Sequence, residues 1–472
     1  MDLTTIQREN PAFPSRIVGQ VESANAADVE RAVVSAHHAQ LSWERESIYN
    51  RCQHLTAALD ALTPAVCDQI ASTLCLELGK PIVASHGELA AALRVIRHFI
   101  EIASDTLQCE SIDDQRGRLQ INKIPFGVVA AIIPWNAPLF VSALKFAPAL
   151  LAGNTVLLKS SPLAPLAVSL LLDCFSTSLP KNVLQVLHGH VETGRALVQH
   201  RLIRKLSFTG GASVARDIQS ATSHLIRPSL LELGGNDAAL LLDDADLSEA
   251  DFEQLVFASF YSSGQLCIGC KRIYVPRHRL DSFLIDFCNV SDNILQIGDP
   301  MQPDVSIGPV VSCDAQHRLE ALASSASREA GVMLQHVGHV VHPDVFRSGY
   351  YVHPAVVVGL SPRSPLACEE QFGPLIPILP YDNVDEAIAE INSTEYGLGG
   401  SVWSSDENQA FTVASRFQSG IVFVNCHGRA GLMPHVPFGG LKDSGYGRES
   451  GSVGLLEYVQ SQSIFVPSGH RR

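Results

Sequence analysis

The chain contains no block of lysines and arginines, and its acidic residues outnumber the basic ones by 14 (48 against 34). Nucleic acid is thereby a poor partner, because a surface of that sign repels phosphate. No apolar run is long enough for a bilayer: the most hydrophobic stretches, 163–172 and 128–133, fall well short of the ~20 residues a spanning helix needs. The start, Met1 to Asn10, carries Asp2, Arg8 and Glu9 without the apolar segment of a secretory signal, and the tail is no sorting address. A soluble, cytoplasmic chain is expected. The 11 cysteines are odd in number and scattered, so reduced thiols, mostly small buried hydrophobes, are expected rather than a disulfide framework. No fixed-period repeat, heptad array or low-complexity tract is present.

What is present has an ordinary globular composition, with 46% hydrophobic and 17% charged residues. The 472 residues are about three typical domain lengths, so two or three packed units are expected. From residue 125, β-rich runs at 126–133, 155–158, 183–187 and 203–208 alternate with helical patterns at 139–151, 164–175, 192–199 and 213–222. That alternation predicts a parallel sheet with right-handed crossovers, a doubly wound, Rossmann-like layer. Further strand signals at 238–242, 272–275, 352–358, 376–380 and 421–425 predict a second α/β unit. The first hundred residues read as largely helical, with apolar positions at helical spacing in 27–40, 49–59 and 88–103. The polar stretch 107–123 reads as a solvated hairpin that leaves the domain.

Three residues carry candidate chemistry. Cys267, in Gly264-Gln265-Leu266-Cys267, stands near the end of a helix-like run from about Asp251, and the flanking glycine permits close approach of a ligand. With Cys270 it forms Cys-x-x-Cys, which admits a redox dithiol or half a zinc site. No second such pair exists, and His336 and His342 lie far downstream, so no metal is assigned. Glu232 sits among apolar neighbours at a strand end before a glycine turn. Burial would raise its pKa towards neutrality and suit a general base, the alternative being a structural cap or pair. Asn136 follows the first strand, at the edge where open α/β sheets place ligands. Its amide can donate to a developing oxyanion, or it simply makes a turn.

Taken in order, several motifs resemble the aldehyde dehydrogenase superfamily nearly end to end. They are Pro134-Trp135-Asn136, Phe208-Thr209-Gly210, Glu232-Leu233-Gly234-Gly235, Gly264-Gln265-x-Cys267 and Glu370-x-Phe372-Gly373-Pro374. Asn392-x-Thr394-x-Tyr396-Gly397-Leu398, Pro437-Phe438-Gly439-Gly440-x-Lys442-x-Ser444-Gly445 and Gly447-Arg448-Glu449 extend the match.

The resemblance implies oxidation of an aldehyde to an acid with a nicotinamide cofactor. Cys267 would form a thiohemiacetal and then a thioester, Asn136 and the Cys267 amide would hold the oxyanion, and Glu232 would activate the hydrolytic water. Trp135, Lys159, Gly210, Gly211, Glu370 and Phe372 would line the cofactor. Pro162 stands where NAD-preferring members often carry glutamate, so NAD and NADP both remain admissible. Gly211 and Ala215 also depart from the family pattern, although both are small.

The implied organisation is a cofactor-binding domain at 1–106 and 125–234, a catalytic domain at 235–449, and a small β excursion at 107–124 and 450–472 that makes a homodimer or homotetramer. A reversible Cys267–Cys270 disulfide is a further expectation. Entrance loops are expected at 426–436 and 107–123, with His427, Arg429 and His435 read as solvated rather than as steering an anionic aldehyde. His37-His38 and the pair His188 and His190 read as surface groups. Competing readings are a coenzyme-A-acylating relative, which the base at Glu232 disfavours, a catalytically silent member and a thiol-disulfide oxidoreductase.

Overall fold

A computed structural model describes residues 4–468; residues 1–3 and the tail residues 469–472 lie outside the described residues. Two large sheets organise the chain. The first has six strands in the order Gly445–Tyr446, Ser229–Glu232, Ile203–Thr209, Val128–Ile132, Thr155–Lys159 and Leu184–Leu187. All its pairings are parallel except that of Gly445–Tyr446 with Ser229–Glu232. Crossover helices Pro138–Leu151, Leu166–Ser176, Val191–Gln199 and Ala212–Thr222 fall where the alternation predicts them. Apolar clusters on both faces bury its strands, consistent with the nearly unbroken hydrophobic runs.

The second sheet has seven strands in the order Met333–His336, Ala355–Val358, Leu375–Tyr381, Arg272–Pro276, Ala238–Leu241, Gly399–Trp403 and Ile421–Val424. Two of these strands were not anticipated. Met333–His336 is an antiparallel edge strand, and Gly399–Trp403 lies buried beside Ala238–Leu241. Two glycines and a serine obscure the β signal of the latter, and burial on both faces overrides their low propensity.

The N-terminal region is less helical than expected. Thr5–Asn10 and Phe13–Glu22 form an antiparallel hairpin before the helices Ala26–Trp43, Ile48–Asp60, Pro64–Leu78 and Ile82–Leu107. The expected hairpin forms within 107–123: Glu110–Asp114, exposed throughout, pairs antiparallel with Gly117–Pro125, whose other edge pairs with Val459–Pro467 to make a three-stranded sheet. Among the described residues, no helix is long and apolar enough to cross a membrane. Every cysteine is free, but only four are buried, so the expectation of mostly buried thiols fails.

Asn154 ties these layers together. Its fully buried amide donates to the carbonyls of Ala149 at 3.0 Å and Tyr458 at 2.8 Å, and accepts from Gly127 N at 3.0 Å. Asn154→Ala would orphan buried backbone groups at about 1–3 kcal/mol each. The urea unfolding midpoint should fall accordingly; an unchanged midpoint would contradict this role.

Candidate active site

A cavity of about 470 Å³ opens at the carboxyl ends of the first sheet's parallel strands, facing the segments that lead into the second-sheet strands Arg272–Pro276 and Leu375–Tyr381, and Asn136, Glu232 and Cys267 all line it. The three arrive by different local routes. Asn136 follows the Val128–Ile132 strand and precedes the Pro138–Leu151 helix, whose N-cap Ala137 offers no side-chain cap. Glu88, from helix Ile82–Leu107, supplies one: its Oε1 accepts from Leu139 N at 2.9 Å, while its Oε2 pairs with Lys80. The Lys80 ammonium also donates to Asn136 O at 2.7 Å. The loop is therefore fixed through its backbone, and the Asn136 amide makes no hydrogen bond among the described residues.

Glu232 ends the Ser229–Glu232 strand, paired with Thr209 on one side and Gly445 on the other. Its carboxyl is buried, with Oε1 lacking a partner among the described residues. Cys267 lies beyond the helix Glu249–Phe260 and the turn Tyr261–Gly264, where Ser262 and Ser263 take left-handed backbone angles. It is half-buried, and its N–H makes no hydrogen bond among the described residues. Two contacts hold its loop. Lys271 Nζ donates to Gly264 O at 3.0 Å and Leu266 O at 2.6 Å. Gly235 packs so closely that a Cβ there would lie 2.9 Å from Cys267 O.

The charges around the sulfur are mostly negative. Burial, followed by the carboxyls of Glu232, Glu370 and Asp237, pushes the Cys267 thiol well above its usual pKa, with Lys271 opposing. Burial, with Glu449 next, likewise pushes Glu232 well above the carboxylate range, while Lys145 pulls it down. Lys145 itself donates to Glu449 Oε1 at 2.8 Å and Ser207 Oγ at 3.0 Å.

The cavity continues into a second groove of about 530 Å³, the two sharing Ile132, Lys159, Pro162, Phe208 and Val214. Its features fit a dinucleotide. Helix Ala212–Thr222 begins at Gly211 without a side-chain cap, and nothing stands within 4 Å of a Cβ placed there. Free amides at a helix N-terminus in an open groove suit a pyrophosphate. Gly210 N is occupied by Glu232 O at 3.0 Å, which couples this turn to the carboxyl residue. Lys159 is the last residue of its strand rather than the one after it; its buried amine, lowered to about 8, donates to Ser160 O. Trp135 and Phe372 meet edge to face at 5.5 Å, and Glu370 Oε1 accepts from Gly235 N at 3.0 Å. Lys159, Trp135, Phe372 and Glu370 all line the cavity.

Other expectations need correction. Cys270 is fully buried in the core of the second sheet, its thiol donating to Arg272 O, and it does not line the cavity, so the structure gives no support to a Cys267–Cys270 bridge. His427 is not solvated: it is buried with Nδ1 against Ser401 Oγ at 2.7 Å, and burial lowers its pKa to about 3. His188 is not a surface group either, because its ring lies between the hydroxyls of Ser160 and Ser169. Lys271, Lys80, Glu88 and Lys145 were missed, since lone charged residues within helical or β-rich runs carry no motif.

The model of the Aldehyde dehydrogenase family matches residues 1–464. Geranial dehydrogenase of Castellaniella defragrans is 35% identical over 469 residues, covering 98% of this chain and 95% of that protein. A Mycobacterium tuberculosis aldehyde dehydrogenase solved in complex with NAD+ superposes with a TM-score of 0.92 at 33% identity, over 99% of this chain and 96% of that one. An NADP-dependent glyceraldehyde-3-phosphate dehydrogenase of Bacillus halodurans, complexed with NADP, gives 0.90 at 29% identity, over 98% and 96%.

The raised thiol pKa predicts how Cys267 reacts in the free enzyme. Only the thiolate is alkylated, so the rate of iodoacetamide labelling at Cys267, read by peptide mass spectrometry, should climb without levelling below about pH 9. A plateau reached near neutrality would contradict this.

Proposed function

The chain belongs to the aldehyde dehydrogenase family, and from that premise we propose that it oxidises an aldehyde to the carboxylic acid through a covalent adduct on Cys267. One observation carries the reading: Asn136, Glu232 and Cys267 line one cavity that runs into a groove suited to a dinucleotide. When bound, NAD or NADP accepts the aldehyde hydrogen as hydride.

The protein does the rest. The Cys267 sulfur, once deprotonated, bonds to the carbonyl carbon. The oxygen that gains charge takes hydrogen bonds from the Asn136 amide and the Cys267 N–H, both otherwise unengaged. Loss of hydride as that oxyanion collapses leaves a thioester on the sulfur. Glu232 then takes a proton from water, the resulting hydroxide equivalent attacks the thioester carbon, the C–S bond breaks, and acid and thiolate separate. This demands an ionised Glu232, which burial and Glu449 oppose, so hydrolysis strengthens as pH rises through that elevated pKa. A water-activating base at this position favours hydrolysis over transfer to a thiol acceptor.

Both dinucleotides are admitted because Pro162 presents no carboxylate to repel a 2′-phosphate. Lys159 and Glu370 would bond the two riboses, Gly210 and Gly211 flank the pyrophosphate, and Trp135 and Phe372 border the nicotinamide. The segments 1–106 and 125–234 act as the cofactor-binding domain and 235–449 as the catalytic domain. The excursion 107–124 with 450–472 joins subunits into a homodimer or homotetramer, for which exposed Ile112, Ile464 and Phe465 on its sheet supply apolar contact. Eleven unpaired thiols fit the reducing cytoplasm.

Stopped-flow dinucleotide reduction over an aldehyde panel tests the roles. Cys267→Ser should abolish reduction. Asn136→Ala should lower turnover about 100-fold or more, as expected for loss of one oxyanion donor. Glu232→Gln should keep a first-turnover burst and lose steady-state rate; wild-type turnover in any of the three would refute its assigned role.

A further inference from the structure

A smaller cavity of about 120 Å³ adjoins the first and shares five of its wall residues: Ala137, Phe140, Leu266, Ile268 and Leu432. Leu266 and Ile268 flank Cys267, so this space lies on the substrate's approach to the sulfur. The shared wall is apolar, but the remaining wall is not. It carries Lys80, Arg94 and Arg429 against a single carboxylate, Glu88. Glu88 is fully engaged, with one oxygen on Lys80 and the other on the N–H groups of Leu139 and Phe140.

The two arginines therefore lack an acidic partner. Arg429 is half-buried and held only by neutral acceptors: Nη2 donates to Gly87 O at 2.8 Å, Nη1 donates to the Tyr261 hydroxyl, and the guanidinium lies 4.9 Å from the Tyr261 ring centroid. Gly87 lies within helix Ile82–Leu107 where a Cβ would lie 3.0 Å from that Nη2, so the helix carries a poor helix former at the point of the arginine's approach. Arg94, on the same helix, is exposed and makes no hydrogen bond or ion pair among the described residues. In a chain with a net charge of −14, the half-buried Arg429 guanidinium and the exposed Arg94, both facing a cavity without a counter-ion, leave that counter-ion to be supplied by a ligand.

We propose that this cavity receives a carboxylate at the far end of the aldehyde substrate, so that the enzyme acts on carboxy-aldehydes whose apolar body lies along Phe140, Leu266, Ile268 and Leu432. The guanidinium of Arg429 presents a fork that matches a carboxylate, Arg94 adds a second charge at the mouth, and the apolar wall between this cavity and Cys267 takes the aliphatic or aromatic spacer. The inference rests on Cys267 as the nucleophile.

The test compares a chain-length series of ω-carboxyaldehydes with their methyl esters, together with para-formylbenzoate and its methyl ester, by kcat/KM with each dinucleotide. Wild type should favour the best acid over its ester by about tenfold or more, a ratio that shrinks with added salt. Arg429→Met and Arg94→Met should each cut that ratio several-fold, mainly through KM, and Arg429→Lys should retain more of it than Arg429→Met. Because the ratio is internal to each variant, partial loss of folded enzyme cancels. Equal rates for acids and esters in wild type, or a ratio unmoved in both methionine variants, would overturn the proposal. Turnover of esters alone would overturn it while leaving Cys267 in place. Absence of dinucleotide reduction with any aldehyde would instead refute the Cys267 reading, and this inference with it.

Discussion

One buried ammonium organises the reactive loop. Lys271 has three donors and spends two of them on the carbonyls of Gly264 and Leu266, clamping the turn that presents Cys267. Its charge also stands among Glu370 and Asp237, and it lies 5.0 Å from the centroid of the Phe372 ring. Removing it would leave three buried carboxyls around one thiol, each facing a single remaining cation (Lys145 for Glu232, Arg318 for Glu370, Arg272 for Asp237), and a loop whose carbonyls have lost their anchor. The same device recurs on the opposite wall, where Lys80 grips Asn136 O and pairs with the Glu88 that caps the next helix. Side-chain ammonium groups, not secondary structure, position the loop residues at the reacting centre.

This arrangement sets the resting charge state. A thiolate and a carboxylate side by side in a low-dielectric cavity repel each other, so the uncharged pair is favoured in the empty site. The proposed reaction would need each group ionised at a different stage: sulfur during attack and glutamate during hydrolysis. The Asn136 amide and the Cys267 N–H make no hydrogen bond among the described residues, and in the proposed reaction they would be the dipoles that stabilise developing charge.

The alternation of strands and helices after residue 125 was legible because buried parallel strands require apolar runs and crossovers require amphipathic helices. Glu232, Cys267 and Asn136 were legible because each combines a reactive or donor side chain with glycine or proline at a strand end or turn. Other features were not. The two glycines and the serine of Gly399–Trp403 hide its strand character until its neighbours bury it, and the N-terminal hairpin alternates too weakly in hydrophobicity to outweigh the helical stretches that follow. His427 looks solvated because it follows a strand in a polar loop, yet Ser401, 26 residues earlier, draws it inside. Lys80, Lys145 and Lys271 owe their significance to carbonyls and carboxylates distant in sequence or brought close only by a turn, which no local pattern records.

The central claim is that Cys267, alone among eleven cysteines, bonds to the substrate carbon. Wild-type enzyme mixed with aldehyde and oxidised dinucleotide, quenched in acid during the first turnover and digested, reports this directly by mass. The account predicts an acyl mass on the Cys267 peptide, in amount matching the dinucleotide reduced. Reduced dinucleotide with Cys267 unmodified throughout, or acyl mass on another cysteine instead, would contradict it.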